Sequence, residues 1–486
     1  MRQFTRDERY RVLKSADEIR DLYEKIKDSE YRQEYHIQPV TGLSSDPNGF
    51  VKHGDTWHLF YQWTPWGAVH GLKYWYHVTS EDLVHWKNEG IGLAADTEYD
   101  NKGVHSGSAY SADDELYLFY TGNHRDENWV RTPYTCAAEL RSDGTAAKLS
   151  KPLFGPHPDY TEHQRDPKIF WSQEKNKFYI FIGAQNKELQ GKILVYSSDR
   201  LLEGWKFEGE LKVPGYEAFG GMWECPSIEH ICGKDLLIFS PQYMKYPGRG
   251  ESTNHNGYMV GRMDFDTLTF TPEREFTLLD YGFDFYAAQC ASGVNAEDHA
   301  VLIAWIGLPD NHYPTEEEDW EGSQSMCRII TIDENNRLIQ RPAEALKSLR
   351  ISSGKADGTL PHACELDIDV SDGDFDLNLF TKEDGSGGLR MHYNSAELCF
   401  TVDKSPLDMR FNEKVFEQAY LPVFTPLRKL EVFIDRSSVE IFCNGGESTF
   451  TAHVFPTERE HFYTVSDGAE VTVYELKKAV TDEFKV

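Results

Sequence analysis

A spacing of about 60 residues constrains this sequence more than any other feature. Five short segments recur at intervals of 60, 60, 58 and 60 residues, and they begin at Asp46, Ser106, Asp166, Glu224 and Asp284. Each segment precedes an aromatic and β-branched run, at residues 57–63, 116–122, 178–183, 236–240 and 301–307. Runs of this kind bounded by Gly, Asn, Asp and Pro predict strands, and a unit of this length holds about four of them. Five such units predict a five-bladed β-propeller.

The repeated region, residues 35–342, is flanked by segments of different character. Residues 12–26 place apolar side chains at three- and four-residue spacing, which predicts an amphipathic helix within an N-terminal extension of residues 1–34. Residues 343–352 are predicted to be a linker that begins with a short helical stretch through Leu349, and a Ser- and Gly-rich stretch continues it to residue 358. Residues 353–486 alternate apolar and polar side chains between turn signals, which predicts a β-sandwich. The expected fold is all-β with a short N-terminal helix, and an irregular β-sandwich enzyme with accidental spacing is the alternative.

Charge and cysteine content limit the partners and the compartment. The chain has 80 Asp and Glu against 50 Lys and Arg, a formal charge of −30, so we expect neither nucleic acid nor membrane as a partner. The N-terminal extension lacks the apolar run of a secretory signal, and no apolar stretch approaches the ~20 residues that span a bilayer. The eight cysteines form no C-x-x-C pair, which favours reduced thiols. These features predict a soluble, cytoplasmic protein.

Three of the five recurring segments carry a carboxylate close to a proline, at Asp46, Asp166 and Glu224. The innermost strand of each propeller blade runs along the central axis, so the starts of these strands converge although they are far apart in sequence. Carboxylates that share a pocket raise at least one pKa among them, and hydrolysis of a glycosidic bond needs one protonated and one ionised carboxyl group. The pattern therefore predicts a glycoside hydrolase.

Each segment also has an ordinary explanation. Residues 46–49 (Asp-Pro-Asn-Gly) are by themselves a turn sequence. Arg165 and Asp166 could form a surface ion pair, and Glu224 could face solvent. The joint occurrence of the segments in one repeat favours the shared pocket.

The residues around these acids resemble the motifs of glycoside hydrolase family 32, the invertases and fructosidases. The matching segments are residues 36–39, 43–50, 60–63, 105–108, 120–122, 165–167, 223–226, 284–286 and 433–441. The resemblance implies a five-bladed propeller joined to a β-sandwich, acting with retention on terminal β-D-fructofuranosyl bonds. It implies no metal and no cofactor, and the sequence has no H-E-x-x-H or other tight cluster of metal ligands.

The resemblance also implies roles for individual residues. Asp46 would be the nucleophile, Glu224 the general acid/base, and Asp166 the residue that binds fructosyl hydroxyls and stabilises the transition state. The implied substrate-binding residues are Leu43, Ser45, Gln62, His70, Lys73, His105, Ser106, Arg125, Arg165, Tyr286 and Trp305. Four of these positions, Leu43, Ser45, His70 and His105, depart from the residues that are usual in the family.

Residues 69–75 and 121–126 resemble the intracellular branch of the family that hydrolyses sucrose 6-phosphate. We therefore expect Lys73 and Arg125, with His70 and His105 nearby, to bind a phosphate at the mouth of the funnel. The alternative is that Lys73 and Arg125 pair with acidic side chains on the rim. The expected partner is a small sugar, sucrose 6-phosphate or sucrose, and the sandwich domain could form a homodimer.

Three other functions remain open at this point. The chain could act mainly on short fructo-oligosaccharides, or be an inverting propeller hydrolase of the arabinan-cleaving kind. It could also be a sugar-binding propeller without catalysis.

Overall fold

A computed structural model describes residues 3–486 with the exception of residues 113, 295, 356, 414 and 482. The first two residues of the predicted N-terminal extension and these single positions in the repeated, linker and C-terminal regions lie outside the described residues. The structure is all-β apart from short helices, as the sequence predicted.

The N-terminal region contains two short helices, α1 at Arg6–Arg9 and α2 at Asp17–Ile26. The predicted helix over residues 12–26 is therefore too long at its start. Residues 11–15 are not helical because tertiary contacts hold this stretch, among them the bond from the Leu13 amide to the Tyr74 hydroxyl at 2.8 Å. In the described part of the chain, no helix combines the length and the apolar character that crossing a bilayer requires.

Residues 42–210 contain three four-stranded units in chain order. The first unit is β1 Gly42–His53, β2 Thr56–Thr64, β3 Tyr74–Ser80 and β4 Lys87–Leu93. The second unit is β5 Val104–Ala112, β6 Glu115–Arg125, β7 Arg131–Leu140 and β8 Ala146–Lys148. The third unit is β9 Tyr160–Ser172, β10 Lys177–Asn186, β11 Gly191–Ser198 and β12 Lys206–Glu210. Within each unit, consecutive strands pair antiparallel.

Residues 222–342 contain two further sheets. The fourth sheet is β13 Met222–Ile231, β14 Lys234–Gln242, β15 Gly257–Asp264, β16 Thr269–Pro272 and β17 Thr277–Leu278. The following strands are β18 Tyr286–Cys290, β19 Ala300–Ile306, β20 Trp320–Glu321, β21 Ser323–Gln324, β22 Arg328–Ile332 and β23 Leu338–Pro342. A 3₁₀ helix at Pro314–Glu318 precedes β20, which leaves the fifth sheet and pairs parallel with β1. The five runs that the sequence indicated are the second strands of the five sheets, β2, β6, β10, β14 and β19.

The first strands of the five sheets lie side by side in sequence order, and β18 returns to contact β1. Each of these first strands is interrupted by a β-bulge. In β5 the bulge is one inserted residue, and in the other four strands two residues face one residue of the second strand. The bulges fall at residues 45–46, 106, 166–167, 225–226 and 287–288. Bulges redirect side chains and are frequent beside active sites. The recurring segments of the sequence are thus bulges at the starts of neighbouring strands, and we name the space that these starts share the central site.

The C-terminal region forms two sheets. Its strands are β24 Arg350–Lys355, β25 Ala363–Asp369, β26 Phe375–Thr381, β27 Leu389–Asn394, β28 Cys399–Asp403, β29 Gln418–Pro422, β30 Lys429–Asp435, β31 Ser438–Cys443, β32 Ser448–His453, β33 Phe462–Val465 and β34 Glu470–Leu476. One sheet has the order β24-β34-β25-β30-β31-β32 and the other the order β29-β28-β27-β26-β33. Apolar side chains of both sheets pack in one core, for example Leu366 and Leu430 of the first with Leu377 and Met391 of the second.

The predicted linker contains the short helical stretch that the sequence indicated, and a strand follows it. A 3₁₀ helix occupies Glu344–Leu349, and β24 pairs with β34 from Arg350 onward. Leu346 and Leu349 are buried in a cluster with Phe433 and Phe442, and this burial explains why the stretch is ordered.

A buried network of charges joins the N-terminal segment, the repeated region and the C-terminal sheets. The two ring nitrogens of His36 contact Asp435 at 2.8 Å and Glu440 at 3.0 Å. Arg328 on β22 contacts Glu440 at 2.6 Å and Asp280 at 3.0 Å. These side chains are fully buried, so the paired charges satisfy one another without water.

Candidate active site

Asp46 lies in the first bulge of β1, and neighbouring strands hold its carboxylate. Its Oδ2 accepts hydrogen bonds from the Ser106 hydroxyl at 2.6 Å and the Gln62 amide at 3.1 Å, and Gln62 also contacts Ser106. Burial raises the pKa of Asp46; the positive charge of Lys73 opposes the shift and the negative charge of Glu224 adds to it. Residues 46–49 are part of β1 and do not form a separate turn, because Asn48 bonds across to the Gly107 amide at 3.0 Å.

Glu224 on β13 is bonded from two sides. Arg165 donates from Nε at 2.8 Å and from Nη2 at 2.5 Å to Oε1, and the Tyr286 hydroxyl donates to Oε2 at 2.6 Å. Arg165 therefore pairs with the carboxylate of the next sheet rather than forming an isolated surface pair with Asp166, to which it lies at 4.0 Å. Glu224 does not simply face solvent, since these bonds fix both carboxylate oxygens.

Asp166 occupies the bulge of β9 in a left-handed conformation, with φ at 66°. Its amide donates to the Thr121 hydroxyl at 2.9 Å, and its Oδ2 accepts from the Cys225 amide at 3.0 Å. Burial raises the pKa of Asp166 to about 7; the charge of Arg165 opposes this shift, and those of Glu224 and Asp46 add to it. The mutual influence of the three carboxylates places them in one electrostatic environment.

Lys73 does not lie on the rim, where the sequence analysis expected it. Only 7% of the residue is exposed, and its Nζ donates to the Ser45 hydroxyl at 2.9 Å. Burial lowers the pKa of Lys73, while the charges of Asp46, Glu224, Glu321 and Asp166 favour its charged form. Lys73 is thus a buried counter-charge for the carboxylates, because a buried ammonium group needs negative charges near it to remain charged. Neither Lys73 nor Ser45 is a mouth residue.

Aromatic side chains surround the same space. The Trp305 ring on β19 lies 6.4 Å, centroid to centroid, from Tyr286 and 6.4 Å from the exposed His70, edge-to-face in both cases. His105, immediately before Ser106, has a buried Nε2 without a hydrogen-bond partner. Burial lowers the pKa of His105 well below its usual value, and nearby positive charges lower it further.

Two predicted substrate residues stand apart from this set. Leu43 is 1% exposed and pairs with Thr64, before the bulge that contains Asp46. Arg125 lies at the end of β6, where its Nη1 donates to the Trp129 carbonyl at 2.8 Å. It pairs with no acidic residue among those described, which removes the rim-pair alternative for this side chain.

Other residues of the site were not found from the sequence. Thr121 and the Cys225 backbone position Asp166, and Arg131 at the start of β7 lies in the same electrostatic environment as Arg165 and His105. Thr121 lies in a segment that resembles the family motifs, but nothing in the local pattern distinguishes Arg131 from a surface arginine. Asp284, which opens the fifth recurring segment, is buried and bonds Tyr313 at 2.6 Å, outside the carboxylate set.

The site can supply an ionised carboxylate, a proton donor and a third acid in one buried, polar space. These are the groups that hydrolysis of a glycosidic bond needs. The fold and the site thus define a glycoside hydrolase.

Comparisons with known proteins agree with this class. The family model described as the glycosyl hydrolases family 32 N-terminal domain matches residues 36–342, and that described as the family 32 C terminal matches residues 333–480. The chain belongs to glycoside hydrolase family 32.

Named enzymes and solved structures are similar to this chain over most of its length. It is 38% identical over 476 residues to a sucrose-6-phosphate hydrolase of Staphylococcus xylosus, which covers 94% of both chains. It is 36% identical over 489 residues to the enzyme of that name from Lactococcus lactis, with coverage of 97% and 99%. Among solved structures, a sucrose-6-phosphate hydrolase from Lactobacillus gasseri superimposes with a TM-score of 0.91 at 32% identity, covering 98% of this chain and all of the other. A Bombyx mori β-fructofuranosidase variant in complex with sucrose superimposes with a TM-score of 0.80 at 28% identity, with coverage of 96% and 100%.

Proposed function

We propose that this chain hydrolyses the β-D-fructofuranosyl bond of sucrose 6-phosphate, and of sucrose, with retention of configuration. The observation that carries the proposal is the arrangement of Asp46, Asp166 and Glu224 in one space, each held by hydrogen bonds from a neighbouring sheet. The names of the relatives support the substrate class, since they share more than a third of their residues with this chain over nearly its full length.

In the first step, Asp46 attacks the anomeric carbon of the fructosyl unit and forms a covalent ester. The bond to the leaving oxygen breaks as Glu224 gives that oxygen its proton. In the second step, Glu224 takes a proton from water, and the resulting hydroxide attacks the same carbon and releases Asp46. Ser106 and Gln62 orient the attacking carboxylate, since both donate to its Oδ2.

Asp166 is proposed to bind the fructosyl hydroxyls, and its bond from the Cys225 amide fixes its orientation. Tyr286 and Arg165 position the acid/base through their bonds to Glu224. Trp305 is proposed as a wall of the fructosyl pocket, and His70 and His105 as its polar edge. No cofactor is required for these steps, because the protein supplies both the nucleophile and the proton.

The finer architecture is also a proposal. The five sheets over residues 35–342 are proposed to be the blades of a propeller, and the two C-terminal sheets over residues 353–486 a β-sandwich. The side-by-side order of the five first strands and the shared core of the two last sheets support this division. The homodimer and the cytoplasmic location remain predictions.

The test compares kcat/KM on sucrose 6-phosphate, sucrose and a kestose-type trisaccharide, with the anomer of released fructose followed by NMR. We expect the highest value on sucrose 6-phosphate and initial release of the β-anomer. Initial release of the α-anomer would indicate inversion and refute the nucleophile role of Asp46. A higher value on the trisaccharide than on both disaccharides would favour a fructan-degrading enzyme instead.

A further inference from the structure

Two arginines face each other at the outer end of the second sheet. Arg125, the last residue of β6, is paired directly with Arg131, the first residue of β7. Side chains of directly opposed residues share one face of a sheet, and like charges in this position destabilise it. The pair is therefore a cost to the fold unless something negative compensates it.

In the described part of the chain no direct ion pair supplies this compensation, although the nearby charges of Asp166 and Glu162 favour the charged form of Arg131. Among the described residues, no acidic side chain forms an ion pair with Arg125 or Arg131, although the chain has 80 acids against 50 basic residues. Asp126 is the nearest acid in sequence, and its Oδ1 accepts hydrogen bonds from the amides of Asn128 and Val130. The Nε of Arg125 is buried and has no hydrogen-bond partner.

Both guanidinium groups are nevertheless held in position by neutral groups. Arg131 donates from Nε to the Asn123 side chain at 3.0 Å. Arg125 donates to the Trp129 carbonyl and lies 5.3 Å from the centroid of its ring, which a third cation, Lys102, approaches to 5.6 Å. Neutral partners fix the geometry of an arginine without neutralising it, so the positive charge stays available.

The pair lies beside the proton-donor half of the central site. Thr121 on β6 is paired with His105 on β5. Arg125 is four residues further along β6, which corresponds to about 13 Å from Thr121 at the usual rise of a strand. Burial, together with the charges of Arg165 and Arg125, lowers the pKa of Arg131 to about 10, and the charges of Asp166 and Glu162 oppose the shift. Arg165 is the residue that bonds Glu224, and Glu224 protonates the leaving group. The pair is thus close to where the leaving sugar departs.

We propose that Arg125 and Arg131 together bind the phosphate group of the sugar substrate on its leaving-group side. The proposal rests on the function proposed above, and it replaces Lys73, which is buried beneath the carboxylates, with Arg131. Two planar guanidinium groups offer forked donors that match phosphate oxygens, and a dianion between them would offset their mutual repulsion. The same chemistry would bind free inorganic phosphate, so the experiment has an arm for each source.

The first arm measures kcat/KM of Arg131→Gln and Arg125→Gln on sucrose 6-phosphate and on sucrose at low ionic strength. We expect each substitution to lower the value on sucrose 6-phosphate by about ten- to hundredfold, mainly through KM, and to change the value on sucrose less than about threefold. Arg131→Lys should retain part of the activity on the phosphorylated substrate, because it keeps the charge and loses the fork. Arg141→Gln is the matched control: Arg141 is exposed at the other end of β7, and its loss changes the net charge equally.

The second arm titrates inorganic phosphate into the wild type and Arg131→Gln by calorimetry, and measures phosphate inhibition of sucrose 6-phosphate hydrolysis. We expect phosphate to bind the wild type and to bind Arg131→Gln at least about tenfold more weakly. Competition with sucrose 6-phosphate identifies the substrate site, whereas inhibition independent of substrate concentration would assign the pair to a regulatory phosphate and overturn the proposal.

Equal losses on both substrates would show that the arginines support Glu224 or the fold, and no loss on either would show that they bind no phosphate; both results overturn the proposal. If the wild type cleaves neither disaccharide, the proposed function fails, and the calorimetry still decides the phosphate site. Absence of phosphate binding to the wild type would refute the site on its own.

Discussion

Replacement of His36 by Gln tests how much the buried charge network stabilises the folded chain. Burial by itself would lower the pKa of His36, but hydrogen bonds to Asp435 and Glu440 outweigh it and raise the pKa to about 9. Both ring nitrogens contact a carboxylate, at 2.8 and 3.0 Å, and only the protonated ring can donate from both. The folded state therefore binds this proton more tightly than the unfolded state does.

The magnitude follows from the difference between the two pKa values. The unfolded reference is about 6.5, so the shift is about 2.5 units, which corresponds to about 3 kcal/mol. Because the folded-state pKa is the higher one, this stabilisation is complete below about pH 6.5 and is lost as the pH rises through about 9. A second, less pH-dependent cost arises because the substitution leaves Asp435 without this cation and Glu440 with Arg328 alone.

The assay is urea unfolding of the wild type and His36→Gln at pH 6.0, 7.5 and 9.5, followed by tryptophan fluorescence. We expect the difference in unfolding free energy between the two proteins to be about 3 kcal/mol larger at pH 6.0 than at pH 9.5. His392→Gln is the control, because His392 contacts Asp376 at the same distance of 2.8 Å while both side chains are more than half exposed. That surface pair should contribute less than about 1 kcal/mol. A difference for His36→Gln that is the same at all three pH values would refute the reasoning.

Three further predictions concern catalysis. Glu224→Gln should lower kcat on sucrose by about 10²- to 10⁴-fold. Activity of this variant should be partly rescued on an aryl β-fructoside whose leaving group needs no proton, whereas that of Asp46→Asn should not. Equal rescue of the two variants would overturn the two roles. Burial raises the pKa of Asp46 and the charge of Lys73 opposes this shift, so the acidic limb of the kcat/KM profile should lie at a pH above the ordinary carboxyl range. Lys73→Met should move this acidic limb to higher pH. A move to lower pH would contradict the electrostatic role of Lys73. Tyr286→Phe removes the 2.6 Å bond to Glu224 and should lower kcat by about tenfold with little change in thermal stability, and an unchanged pH profile and kcat would exclude a positioning role.

The sequence by itself determined the repeated architecture. The interval between the recurring segments and the aromatic runs that follow them located the second strand of all five sheets, because strand patterning is a local property of consecutive side chains. It also indicated Asp46, Asp166 and Glu224 as one set, since each lies close to a proline, in a bulge or beside one. A proline has no amide hydrogen to offer the ladder, so it is tolerated at a bulge, and this constraint is visible in one dimension.

The helix start, the strand at the end of the linker and several site residues were decided by tertiary structure. The apolar stripe over residues 12–26 predicts a longer helix, but contacts with β3 hold its first residues in a non-helical conformation. Lys73 was misplaced because it lies in the connection before β3, where no local pattern shows whether a side chain reaches solvent or, as here, Ser45 and the carboxylates.

Two features of the chain exist only because distant segments meet. The segments around His36 and Asp435 were both noted as motifs, yet nothing in either shows that they bond each other across about 400 residues of sequence. Arg131 carries no signal of its own, and its significance arises from Arg125 on the adjacent strand and Arg165 on the next sheet. Hydrophobic periodicity is encoded along the chain, whereas the energy of a charge depends on its burial and on the charges around it, and those are set only when the sheets assemble.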